Sequence, residues 1–223
     1  MNKAWSELNK TIQMQLKKKL TFSDGIKTLL ILRKELMNEV ESWLLQLSKE
    51  DFSAIPFINA HGYHSKTIAY SLWHIFRIED IVVHTLICND TQILFSEDYQ
   101  KKIGSPIITT GNELVKEQIV LFSKQLDLKA LYQYIRDVRK STEAMLKRIS
   151  YNDLKMKFTE NDKERVMALN VVSTDQNAHW LIDYWCGKDV RGLLQMPCSR
   201  HWIMHIEASL RIKNKLSKSN LIT

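Results

Sequence analysis

Apolar positions recur three and four apart along most of this chain. From Ile26 to Leu47 the series Ile26, Leu29, Leu30, Leu36, Met37, Val40, Trp43, Leu44 and Leu47 predicts a long amphipathic helix started by Ser23-Asp24. A second long helix is expected over about 66–88, with Ser65 as its cap. Asn112 opens a helical stretch to about 126. Asp127 then caps a third long helix over about 128–149, carrying Leu131, Tyr134, Ile135, Val138, Met145 and Ile149. The last helix starts at Pro197 or Ser199 and reaches about Leu216. Two shorter helices complete the set: one in residues 1–20, with Trp5, Leu8, Ile12, Leu16 and Leu20 on one face, and one over 176–186, ended by Gly187. Pro56, Gly62, Asn89-Asp90, Gly104, Pro106 and Gly111 punctuate the segments 49–64 and 89–111, which read as links, and 150–174 is polar and ambiguous. Four helices of this length predict an all-α fold in one domain over 1–223. It is a four-helix bundle over 24–215 with an extra N-terminal helix over 1–20 and inserted loops.

Composition agrees. Six Gly and three Pro are too few for the many turns of an all-β fold. A chain of 223 residues buries enough surface to fold without disulfides, and three cysteines make an odd count that fits a reducing compartment. The net charge of +7 belongs to the ends. Residues 1–20 hold five lysines against Glu7, and 208–223 hold Arg211, Lys213, Lys215 and Lys218 with no acid. The middle is nearly neutral, so a basic stripe for nucleic acid is not expected. The polar N-terminus does not resemble a signal peptide, and apolar runs such as Leu29-Leu30-Ile31-Leu32 are too short to span a bilayer. A cytoplasmic protein with no membrane partner is the expectation.

The chemistry concentrates in His201-x-x-x-His205. Residues four apart share a helical face, where two imidazoles can reach one metal ion. That spacing alone is a weak signal among seven histidines. Its setting strengthens it: both histidines continue the apolar stripe of Ala208, Ile212 and Leu216, opposite Arg200, Glu207, Arg211, Asn214 and Lys215. Buried imidazoles need partners, either a shared metal ion or a hydrogen-bond network. His61, His64, His74, His84 and His179 are the candidates for a third ligand. His61 and His64 sit in the Gly62 loop, where exposure is expected, and His84 lies near the polar side of its helix. Periodicity permits His74 without selecting it.

The segments Ser71-Leu72-Trp73-His74-Ile75-Phe76-Arg77-Ile78-Glu79-Asp80 and Pro197-Cys198-Ser199-Arg200-His201-Trp202-Ile203-Met204-His205-Ile206-Glu207 resemble the second and last helices of the DinB/YfiT-like metalloprotein superfamily. The resemblance covers roughly residues 24–215 and is sharp only in these two segments. It implies a four-helix bundle of that type, with His74, His201 and His205 around a divalent metal, often zinc or nickel. Three protein ligands leave a position open, which can lower the pKa of bound water or hold a thiolate. Relatives with assigned activity act as S-transferases on low-molecular-weight thiols, so a small-molecule thiol and an electrophile are the implied partners. Hydrolysis, or a non-catalytic bundle acting through partners, is the alternative. A homodimer is implied by the resemblance alone.

Other residues carry weaker signals. Glu79, near the centre of its apolar arc, is a candidate catalytic base or ligand-orienting group, or else a partner for Arg77 or Arg33. Cys198 shares the face of His201 as a possible fourth ligand or a small core residue. Asp183 and Tyr184 are candidates to line the site, and Glu207 is expected in solvent.

Overall fold

The computed structural model describes residues 2–220. Regular structure among them is helical, apart from one isolated bridge between Lys157 and Asp189. Helix α1 (Lys3–Gln15) is capped by the Asn2 side chain and leads into α2 (Phe22–Gln46). The short α3 (Lys49–Ser53) carries a Ser48/Asp51 capping box. Helix α4 (Ile68–Asp80) is capped by Thr67, not Ser65, and runs on as a π-helix over Ile81–Cys88. Two short helices follow, α5 (Ile93–Ser96) and α6 (Tyr99–Ile103), then α7 (Glu117–Gln125) and α8 (Leu128–Arg148), the latter capped by Asp127 as expected. The chain ends through α9 (Glu160–Ala168), α10 (Gln176–Cys186), α11 (Val190–Gln195), a π-turn over Met196–Arg200, and α12 (His201–Asn220).

Helix α2 packs against both α8 and α12, and α4 packs against the same two, so the four long helices share one core. A smaller apolar cluster lies beside it, where α9 and α10 cover Ile78, Ile81, Val82 and Leu86. Helix α1 lies along α2 and buries Trp5 and Ile12, and Leu16 is buried just past its end. Leu20 departs from the expectation: α1 ends at Gln15, so Leu20 leaves the apolar face and is 93% exposed. The stretch after Asn112 is also not helical until Glu117. Gly111 and Lys116 both take positive φ, which breaks helical geometry on either side. No helix among the described residues is long and apolar enough to cross a membrane.

The link over 89–111 is ordered by α4. Buried Asp80 accepts hydrogen bonds from the amides of Ile93 (2.8 Å) and Leu94 (3.0 Å) and from the Tyr134 hydroxyl (2.9 Å). Further on, four successive carbonyls face α4 and each accepts one bond from it. Arg77 Nε donates to Ile108 (2.7 Å), Trp73 Nε1 to Thr109 (3.0 Å), His74 Nδ1 to Thr110 (2.8 Å) and the Tyr70 hydroxyl to Gly111 (3.0 Å). These bonds satisfy backbone groups that would otherwise be buried without partners. They strap residues 108–111 along the helix, and every residue from Ile68 to Asp80 is buried.

Candidate metal centre

His74 reaches the site from α4, and His201 and His205 reach it from adjacent turns of α12. The three are 5%, 7% and 2% exposed. Their ring centroids form a near-equilateral triangle, 5.0 Å between His74 and His201, 4.8 Å between His74 and His205, and 4.6 Å between His201 and His205. One nitrogen from each lies within 4.8 Å of the others. Ligand atoms on a common ion at about 2.0–2.1 Å stand closer together than that, so small side-chain adjustments separate this arrangement from coordination.

The protonation pattern suits a cation. The Thr110 carbonyl can only accept, so His74 Nδ1 carries its proton and Nε2 keeps its lone pair. A backbone partner of this kind orients metal-ligating histidines in general. His201 Nδ1 and both ring nitrogens of His205 are buried without a hydrogen-bond partner among the described residues. Each such orphan costs about 1–3 kcal/mol. Burial lowers the His74 pKa to about 4, against the opposing pull of the Thr110 carbonyl. Burial also pushes His201 and His205 well below the ordinary histidine value, and the neighbouring imidazoles add to it. All three are therefore neutral near pH 7, with lone pairs to give.

A pH dependence follows. The folded-state pKa values lie below those of the unfolded chain, so the unfolded chain takes up protons first as pH falls below about 6.5. The metal-free protein should lose up to about 1.4 kcal/mol per pH unit per histidine between pH 6.5 and 5.5. Urea midpoints across that range check this, and a His205→Gln variant should show a shallower slope. Equal slopes would contradict the burial of neutral histidines.

Aromatic rings frame the triad. Tyr70 stacks on His74 at 5.5 Å and 11°, and Tyr63 meets His205 edge-on at 4.9 Å. Gly111 permits the Tyr70 stack: its φ is +79°, and a Cβ there would lie 3.0 Å from the Tyr70 ring. Gly111→Ala should cost about 1–3 kcal/mol and displace the strap. Unchanged urea stability in that variant would show that the strap tolerates the side chain.

The other candidates lie elsewhere. Glu79 is fully buried and takes both Arg33 guanidinium nitrogens, at 2.7 and 2.8 Å, plus Trp202 Nε1 at 2.9 Å. Arg33 also donates to the Cys198 carbonyl (3.0 Å) and lies over the Trp202 ring. Glu79 thus ties α2 and α4 to the residue after His201. Cys198 is fully buried outside the histidine cluster, and burial holds its thiol protonated. His84 is a correction: it is buried, not on a polar side, and pairs with Asp90. His61 and His179 are exposed, and His64 is half-buried outside the triad. Asp183 is exposed and pairs with Lys163 at 2.9 Å. Glu207 is half-buried and accepts from the Asn2 amide.

A cavity of about 280 Å³ opens onto His74 and His201. Tyr184 lines it as anticipated, and Asp183 does not. Sequence reasoning did not single out Tyr63, Tyr70, Thr110 or Asn112. Tyr70 had a readable signal, one turn before His74 on the same face, whereas Thr110 acts through its backbone and had none. Compared with models of known protein families and with curated proteins, the chain gives no match.

Proposed function

We propose that this chain is a metal-dependent enzyme of the DinB/YfiT-like type, a four-helix bundle in which His74, His201 and His205 hold a divalent ion, zinc or nickel by preference. The observation that carries the reading is the convergence of three buried, neutral imidazoles, with three of their nitrogens unpartnered, beside a cavity. Packing alone does not account for it, because apolar side chains would fill the same space without the cost of orphaned polar atoms. The donor set fits a borderline ion, and imidazole suits zinc and nickel.

Three protein ligands leave room for a further one, and a divalent ion there supplies Lewis acidity and lowers the pKa of a thiol or water that joins it. The chain's own residues do the positioning. The Thr110 carbonyl fixes the His74 tautomer, Tyr70 and Tyr63 hold two of the rings, and Glu79 anchors the start of α12 through Trp202. Burial keeps bulk water from the triad. Thiol S-transfer to a small electrophile is the preferred reaction class. The test is turnover by the zinc- or nickel-loaded protein with low-molecular-weight thiols and a chromogenic electrophile, beside a His205→Ala variant. Metal-dependent turnover lost in the variant supports the reading; no turnover by a fully loaded protein across thiols and ester substrates overturns it in favour of a non-catalytic bundle.

A further inference from the structure

The cavity beside the triad has a definite chemical character. Its outer wall is aromatic, made by Trp180, Tyr184 and Trp185 of α10, and Leu181 and Met196 complete an apolar lining. None of the side chains that line it is an acid, a lysine or an arginine. Of the charged side chains around it, Lys163 pairs with Asp183, Lys188 sits over the Tyr184 ring at 4.2 Å, and Lys66, whose charge reaches His74 and His205, sits over the Tyr70 ring at 4.7 Å outside the lining. One amide enters the lining. Asn112 Oδ1 accepts from Thr110 Oγ1 (2.8 Å), which leaves the amide N–H groups as donors. At its inner end the cavity meets His201, whose Nδ1 is buried and unpartnered. Trp180 is 50% exposed although it belongs to this apolar wall, an arrangement suited to a rim that a ligand covers.

We propose that this cavity binds an uncharged molecule of about two fused aromatic rings, its flat faces against the α10 aromatics and one acceptor atom toward Asn112. The size follows from the volume: about 280 Å³ is roughly twice the ~150 Å³ apolar cavity that takes up a benzene ring. The charge follows from the lining, where an anionic or cationic group would be desolvated with no side chain of opposite charge to pair with. Of the two reactants in a thiol transfer, this is the electrophile, its reactive edge toward His74 and His201: the thiol sulfur forms the new C–S bond, its proton passes to solvent, and the displaced group leaves with the bonding electron pair. That last assignment rests on the metal-enzyme reading; the binding itself does not.

The test uses the metal-free full-length chain and two probes, quinoline and quinoline-6-carboxylate, at pH 8 by isothermal titration calorimetry. Quinoline should bind at least about tenfold more tightly than its carboxylate, because only the latter brings a charge into an apolar wall. Met196→Glu should weaken quinoline about tenfold or more, and Trp180→Ala should weaken it severalfold, both with unchanged circular dichroism. Met196 is half-buried and Trp180 half-exposed, so neither substitution removes a core residue. Equal affinity for the two probes, quinoline binding unchanged in both variants, or no binding at millimolar concentration would overturn the proposal. Cobalt absorption on the same preparation separates the two readings. A protein that takes cobalt but not quinoline refutes the pocket and spares the metal centre; one that binds quinoline but no cobalt does the reverse.

Discussion

Replacing His201 and His205 together by alanine should empty the metal centre. The untagged natural sequence should carry about one divalent ion per chain by elemental analysis, and the double variant none. His74→Ala alone should weaken the ion by more than about 100-fold, since loss of an orienting partner already costs 10–100-fold and a ligand does more. The physical ground is the geometry: the three rings stand 4.6–5.0 Å apart, and no other His, Cys, Asp or Glu among the described residues joins the cluster. Two ligands from α12 without the third from α4 make a weak surface-type chelate. Full metal retention in His74→Ala would remove that residue from the site. Absence of metal from the natural sequence, even after reconstitution with zinc or nickel, would reduce the triad to packing.

Glu79→Gln should destabilise the protein by about 3–5 kcal/mol, because it leaves the Arg33 guanidinium buried without its counter-charge. For a chain of this size that amounts to a fall of roughly 10 °C in Tm. Arg33→Met combined with Glu79→Met should recover most of the loss, since both charges then leave the interior. Metal content should stay near its natural value in Glu79→Gln, because Glu79 touches Trp202 and not the histidines. A catalytic base predicts the opposite pattern, lost turnover with little change in Tm. The double variant also shows whether the ion pair serves stability or the placement of α12.

The long helices were legible because their apolar spacing survives in the fold. Ile26, Leu29, Leu36, Met37, Val40 and Trp43 of α2 are all buried, and Asp127 caps α8 as its position implied. Helix α4 was harder to read for a physical reason. Its buried residues include Arg77, Glu79 and Asp80, whose polar ends are taken up by the link, Arg33 and neighbouring side chains. A helix covered on all sides has no polar face to set its phase, so the wheel could permit His74 but not choose it. His84 failed for a related reason. From Ile81 onward the helix is π-wound, and each residue turns through a smaller angle than an α-helical wheel assumes. The 89–111 link holds two short helices that the sequence did not announce, and the rest looked irregular because its order comes from α4 side chains bonding to its backbone, which no local pattern records.

The strap of carbonyls at 108–111 has a thermodynamic corollary. His74 is shared between two partners, the Thr110 carbonyl on one ring nitrogen and the triad on the other. Whatever binds the triad therefore binds the docked strap better than a released one, and linkage makes the effect mutual by the same factor. Loading the centre should slow amide exchange across the strap, although its backbone would not touch the ion. Loosening the strap should in turn speed release of an ion held by the triad, so residues 108–111 and the three histidines stabilise or loosen one another.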